Sequence, residues 1–179
     1  MGQLHIAIII LYDGAITDRD VSQTMAAINF DAIDLKLLAE LQENGRITNV
    51  ELATKVGLTA PPCLRRMRTL EQSGAIRGYH AEIDPAALGY SIMVFAMVSL
   101  KSQAEEDLRG FEAHVRALPE VRECHMLNGE IDFILKIVAH DLQTFQEFLT
   151  SKLTSAPNVS SVKTSLTIRT AKDEPGVPV

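Results

Sequence analysis

Three arginines, Arg65, Arg66 and Arg68, stand in a stretch whose apolar residues recur at helical spacing. A row of guanidinium groups on a helix suits phosphate oxygens and the acceptor edges of bases. Cys63, Leu64, Met67 and Leu70 fall at i, i+1, i+4 and i+7, which predicts one apolar stripe on a helix from about Pro62 to Ser73, stopped by Gly74. On an arbitrary helix such arginines form a solvated face. Local charge weighs against that here. Between Arg46 and Gly78, Lys/Arg at 46, 55, 65, 66, 68 and 77 stand against acids at 51 and 71, a balance of +4 in a chain of formal net charge −6. A basic patch inside an acidic protein is the footprint of phosphate contact.

The elements that must position these arginines are legible on either side. Thr48-Asn49-Val50-Glu51 fits a capping box, and Val50, Ala53 and Val56 follow at helical spacing to Gly57, placed as a left-handed C-cap. Pro61 and Pro62 then suit the first turn of the arginine helix, where the missing N–H has no helical acceptor to lose. Upstream, Asp31–Asn44 predicts a first helix with Ile33, Leu37, Leu38 and Leu41 on one face. Downstream, Ile76–Ile83 alternates like a strand. Two helices joined by a short Gly turn, the second basic and followed by a hairpin, make a winged helix-turn-helix.

This stretch resembles the DNA-binding domain of the leucine-responsive regulatory protein/AsnC family of bacterial transcription regulators. The resemblance rests on Asp34 with Leu37-Leu38, GRITNVELA, KVGLT, Pro62-Cys63-Leu64, Arg66 with Arg68-Thr69-Leu70-Glu71, and Gly74-Ala75-Ile76 with Gly78-Tyr79. Groove contacts are expected from Arg65 and Arg68, with Pro61, Pro62 and Thr69 near the helix start. Arg46, Lys55, Arg66 and Arg77 are expected to touch phosphates or to pair within the domain, and Thr48 and Thr59 complete the DNA-facing set.

Beyond Asp84-Pro85, which predicts a capped hinge to Tyr90, the pattern doubles. Strand Ile92–Leu100, helix Ala104–Leu118, Pro119-Glu120-Val121 and a strand to Leu127 are followed by strand Phe133–Ala139, a helix from Asp141 to Leu153, Pro157-Asn158-Val159 and a strand to Arg169. A doubled unit of this kind is a ferredoxin-like βαββαβ sandwich with helices on one sheet face. The uncovered face, placed at Val94 and Ala96, is a surface for self-association. The fold class is thus α+β, a winged helix-turn-helix domain over 30–83, a hinge over 84–90, a ferredoxin-like ligand-sensing and oligomerisation domain over 91–171 and a disordered tail over 172–179.

This half is similar to the family's regulatory domain at Glu123-Cys124-His125, Gly129-Glu130-x-Asp132 and Leu135-Lys136. The resemblance implies an amino-acid effector held between sheets of adjacent dimers around the Gly-x-x-Asp loop. Chemistry fits: an amino acid offers a carboxylate that backbone N–H groups near Gly129 can hold, and an ammonium that Asp132 can balance. Asn128 and Glu130 belong to the loop, and Met126, Leu142, Ser165 and Thr167 line the side-chain end. The residues alone also fit a plain Asn128-Gly129 hairpin turn.

Residues 1–29 stand outside both domains. Leu4–Tyr12 is apolar but far short of the roughly 20 residues that span a bilayer. Met25 is read as the native start, with the stretch before it a translated upstream segment, the alternative being an extra strand or arm that packs on a neighbouring subunit. Cys63 and Cys124 offer neither metal spacing nor a disulfide framework, which suits a reducing cytoplasm. His125 and His140 read as hydrogen-bonded structural residues. No Ser/His/Asp order and no glycine-rich nucleotide loop occurs, so no enzyme, metal or cofactor is expected. The expected partners are double-stranded DNA, a small amino acid and further copies of the chain as a dimer, tetramer or octamer, on the nucleoid and away from any membrane. Two other functions share the architecture, a tetrapyrrole decarboxylase and a ligand-insensitive architectural DNA-binding protein. The first needs His and Arg converging on a large cavity, and no such pair lies near the loop.

Overall fold

Each helix of the amino-terminal half begins on a polar side chain that takes up an orphan backbone donor, or on prolines that have none. The computed structural model describes residues 29–179, so Leu4–Tyr12 and the expected start at Met25 lie outside the described residues. Helix α1, Ala32–Glu43, is capped by Asp31, whose carboxylate accepts from the Ile33 and Asp34 N–H groups at 2.9 Å each. Helix α2, Asn49–Val56, starts on the expected box: Thr48 accepts from the Glu51 N–H at 3.3 Å and Glu51 from the Thr48 N–H at 3.0 Å. It ends at Gly57, left-handed at φ 77°. Helix α3, Ala60–Gln72, takes both prolines into its first turn and so begins earlier than the sequence suggested.

The three helices close on Leu37, Leu52, Ala53, Val56, Cys63 and Leu70. Each fully buried aliphatic side chain here contributes about 1.5–3 kcal/mol. Two expected core residues are outside it. Val50 is 66% exposed and Leu64 40% exposed. Leu52 fills the place given to Val50, because an eight-residue helix offers too few turns to fix its apolar phase from spacing alone.

The expected strand Ile76–Ile83 is absent: no residue from 76 to 83 is in a strand. A lone extended run needs a hydrogen-bonding partner to become a strand, and no other strand exists between residues 29 and 91 to supply one. The segment is instead tied to α3 by the Tyr79 hydroxyl, which donates to Glu71 at 3.0 Å. Burial and then that bond push the Tyr79 phenol up to about 12.

The chain divides into two compact units, one ending at Glu82 and taking in Asp173–Val179, the other Ile83–Lys172. The second opens with a short 3-10 turn, Ala86–Leu88, after Asp84, whose carboxylate accepts from the Ala86 N–H at 2.9 Å. Then come β1 Ile92–Leu100, α4 Glu105–Arg116, β2 Val121–Met126, β3 Phe133–Ala139, α5 Leu142–Phe148 running into a π-turn to Leu153, and β4 Val159–Leu166. The strands form one antiparallel sheet in the order β2-β3-β1-β4, the doubled unit the sequence implied.

The face assignment was inverted. Val94, Ala96 and Val98 are buried with Phe133, Leu135 and Ile137 in the core that also holds Leu108, Phe111, Val115, Phe145 and Phe148 of the helices. The open face carries the alternate residues Met93, Phe95 and Met97, beside Ile134 and Val138 in register. β1 is apolar on both faces, so its alternation carries no sign that tells inside from outside.

The segment 172–179, read from sequence as a disordered tail, carries no helix or strand, and Val177 in it bonds to Gln42. Gln42 Nε2 donates to the Val177 carbonyl and Gln42 Oε1 accepts from the Val177 N–H, both at 3.0 Å.

A Cβ added at Gly57 meets nothing within 4 Å, so Gly57→Ala isolates the backbone penalty. It should lower unfolding stability by about 1–2 kcal/mol in denaturant titration followed by circular dichroism.

Candidate DNA interface and effector site

Four of the expected DNA-facing cations divide into two kinds. Arg66 reaches back from α3 to α1, its Nη1 lying 2.7 Å from carboxylate oxygens of both Asp31 and Asp34. Those contacts raise its pKa, the Asp34 hydrogen bond most. Lys55 pairs with Glu40 across α2 and α1, and that bond raises the ammonium in the same way. Both are therefore engaged within the domain. Arg65 and Arg68 are exposed, with no side-chain hydrogen bond or ion pair to any acid among the described residues. They share the outer face of α3 with Pro61 and Thr69, whose hydroxyl donates to the Arg65 carbonyl at 3.1 Å.

The remaining members lie at the helix ends and turns of the same unit. Thr59 is the N-cap of α3, and its exposed side chain makes no capping bond. Pro62 is half-buried beside it. Arg46 is exposed in the turn before α2, Arg77 is exposed beyond α3, and the Thr48 hydroxyl is engaged with Glu51 at 2.7 Å. Asp31 and Asp34 are functional residues that residue type alone hid. Their signal was the capping box itself, which set two carboxylates at the start of α1.

In the second unit the expected effector residues fall into two groups. Met126, Asn128, Gly129, Glu130 and Asp132 surround the β2–β3 turn, closed by the Leu127 N–H donating to the Asp132 carbonyl at 2.8 Å. Leu142 opens α5 at the other end of β3, about 20 Å away at 3.3 Å per residue. Thr167 sits at that far end too, its N–H donating to the Met93 carbonyl at 2.9 Å, and its hydroxyl is buried with no partner among the described residues. Ser165 lies between the ends, on the open face opposite Phe95. One copy of the chain does not bring the eight residues together.

The turn joins antiparallel β2 and β3 as a hairpin, with Asn128 and Gly129 as turn residues. Neither Asn128 nor Gly129 has a positive φ, so it is not the two-residue Asn-Gly type that needs it at both positions. Asp132, 8% exposed, is not a vacant counter-charge. Its carboxylate accepts from the Leu100 N–H at 2.7 Å and from Gln103 Nε2 at 2.8 Å. Gln103, which no sequence signal singled out, is thus part of the turn's foundation. Beside the turn a groove of about 420 Å³ runs between α4 and β2, lined by Glu112, Val115, Arg116, Arg122, Cys124 and Met126, among others. Desolvation there, with the Glu112 carboxylate nearby, pushes the Cys124 thiol up to about 11 although the residue as a whole is exposed.

His125 and His140 both have partners within the fold. His140 stacks on Tyr90 with ring centroids 4.1 Å apart and bonds the Gly89 carbonyl through Nδ1 at 3.0 Å; His125 lies 3.3 Å from Glu123. Among the described residues no group of three or more His, Cys, Asp or Glu could hold a metal ion, and no helix is long and apolar enough to cross a membrane.

Comparison with known proteins agrees with both halves. Residues 30–77 match the winged helix-turn-helix DNA-binding family and residues 93–177 the Lrp/AsnC ligand binding domain. A leucine-responsive regulatory protein from Rhizobium meliloti is 53% identical over 146 residues, 82% of this chain and 94% of that protein. The Escherichia coli K12 protein of the same name is 38% identical over 144 residues, 80% and 88% of the two chains. Among solved structures, a transcriptional regulator from Neisseria meningitidis in complex with L-methionine superposes with a TM-score of 0.80 at 37% identity, over 84% of this chain and 97% of that one. An AsnC family regulator from Agrobacterium tumefaciens gives 0.79 at 30% identity, over 83% and 97%.

The Arg66 cluster has a pH signature. The Asp34 N–H foremost, with Arg66, holds the Asp31 carboxyl below its ordinary value. A depressed carboxylate contributes stability that is complete above its unfolded pKa and is lost as pH falls through the lower folded value. Arg66→Ala should therefore destabilise the chain at pH 7, and the deficit should shrink below about pH 4, read by denaturant unfolding across pH. A deficit independent of pH would assign Arg66 to packing.

Proposed function

The chain belongs to the Lrp/AsnC family of DNA-binding transcription regulators, and from that premise we propose which residues read DNA, which meet the effector and how copies assemble. The carrying observation is the outward, unpaired state of Arg65 and Arg68 while Arg66 and Lys55 are held by acids. Arg65 and Arg68 enter the major groove. Pro61, Pro62 and Thr69 pack at its edge, and Arg46, Thr48, Thr59 and Arg77 approach the flanking phosphates. Arg66 and Lys55 act by holding α3 and α2 on α1. The head comprises residues 30–83 and the sensor 91–171, with 84–90 as hinge. The chain acts as a regulator in the cytoplasm, on the nucleoid, and carries no catalytic role.

The effector is a small amino acid. Leucine and methionine are the first to test, given the names of the relatives. Gly129 supports a contact at the turn: it needs neither a left-handed backbone nor the space of a missing Cβ, so nothing inside the chain demands a glycine there. A bare backbone suits close approach by something outside. Leu142, Ser165 and Thr167 reach this turn only from another copy, which makes the site a property of the assembly. The open sheet face with Met93, Phe95, Met97, Ile134 and Val138 is the surface through which copies pair. Differential affinity for two assemblies is then the route by which the effector shifts DNA binding.

Two variants test the two halves. Arg65→Ala should weaken binding to a selected duplex by about 1–3 kcal/mol while leaving random-sequence binding little changed, in anisotropy titrations at fixed salt; an equal loss on all sequences would reduce it to a phosphate contact. Gly129→Ala should leave the melting temperature unchanged and abolish the thermal shift that leucine or methionine gives the native chain. An undiminished shift would move the effector away from the turn.

A further inference from the structure

The outer face of α3 presents one residue that no phosphate can use. Leu64 is 40% exposed, although the sequence pattern assigned it to the core. Cys63 and Leu70 are buried and Met67 packs against them, so the core of the head is complete without it. At about 100° per residue, Leu64 and Arg68 lie one turn apart and about 40° apart around the axis, with Pro61 and Arg65 on the same side. The result is an aliphatic side chain beside Arg68, with Arg65 beyond it, and neither guanidinium pairs with an acid among the described residues.

We propose that Leu64 is a base-reading contact that receives the 5-methyl group of thymine in the major groove, on the flank of Arg68 that faces away from Arg65. The inference rests on the DNA-reading role given to this face of α3. Its chemistry is specific. Arginine recognises the two acceptors of guanine, whereas the one apolar group displayed in the major groove is the thymine methyl. Leu64 has no donor or acceptor, so it adds nothing to backbone affinity, and its contribution is sequence preference. Positively charged neighbours draw the duplex in, and the leucine favours a thymine where it meets a base edge. The reading face thereby selects thymine next to the positions that Arg65 and Arg68 read.

Thymine and deoxyuridine differ only in that methyl, which gives the test. A duplex is selected from a random pool by the full-length chain, and each thymine is replaced singly by deoxyuridine with affinity measured at constant salt. The expected result is one or two positions per half-site where replacement weakens binding about fourfold, the worth of one buried methyl group. Leu64→Ala and Leu64→Gln should bind the thymine duplex about fourfold more weakly than the native chain and be indifferent to the replacement at those positions. The glutamine variant keeps the side-chain length at a surface site, and a melting curve for each variant confirms that it is folded. Uniform indifference of the native chain to deoxyuridine overturns the proposal, as does sensitivity that persists undiminished in both variants. Failure to select any duplex would instead overturn the DNA-reading role of α3 itself.

Discussion

The roll of α3 about its own axis is the constraint on which the DNA-binding unit depends. Arg66 is drawn inward by Asp31 and Asp34 at the start of α1, while Cys63 and Leu70 are buried on the core side. Because successive side chains are about 100° apart on a helix, fixing those three directions leaves Leu64, Arg65 and Arg68 facing out. The pairs with Arg66 are partly solvated, and such pairs add little net stability. Burial holds the bundle together, and the ion pairs select its rotational register. The same carboxylate of Asp31 caps α1, so the residue that starts the first helix also sets the face of the third.

A comparable division governs the sensor. Asp132 commits its carboxylate to the Leu100 N–H and Gln103, and its own N–H to the Val98 carbonyl. It therefore anchors the base of the β2–β3 turn to the end of β1. The tip, Asn128–Glu130, is exposed and bare at Gly129. A fixed base with an accessible tip is the arrangement a binding loop requires, since an ordered scaffold lowers the entropy lost when a ligand docks. The acid supplies rigidity at the base of the turn and has both carboxylate oxygens engaged in doing so.

What the sequence disclosed follows from how local each signal is. Thr48 with Glu51 and the left-handed Gly57 depend on contacts within four residues, and the structure has both. β1 and β3 occupy the expected spans because β-branched and aromatic runs bounded by polar turns allow little else. Signs and partners were less legible. Val94 and Phe95 are both apolar, so only the packing of α4 and α5 decides which points inward. Arg66 and Arg68 are the same residue two positions apart, and only Asp31 and Asp34, more than thirty positions upstream, separate their roles. Leu142 and Gly129 could be named together from resemblance, yet the sheet sets them at opposite ends of one strand. A site completed by a second copy has no signature in the spacing of a single chain.

The charge distribution explains why such a head would be used in multiples. The whole chain carries a formal charge of −6, so duplex DNA is repelled except where the local balance is positive. With Arg66 and Lys55 neutralised internally, the outer face of α3 offers two arginines, and Arg46 and Arg77 are the other exposed arginines of this unit. Affinity from phosphate neutralisation scales with the number of cations engaged, and a handful supports only weak binding by one head. Joining heads by any means converts each further contact into an intramolecular event at high effective concentration. Affinity then depends on how well the spacing between heads matches the spacing of sites along the duplex. A ligand that alters the assembly can thus control DNA binding without touching α3.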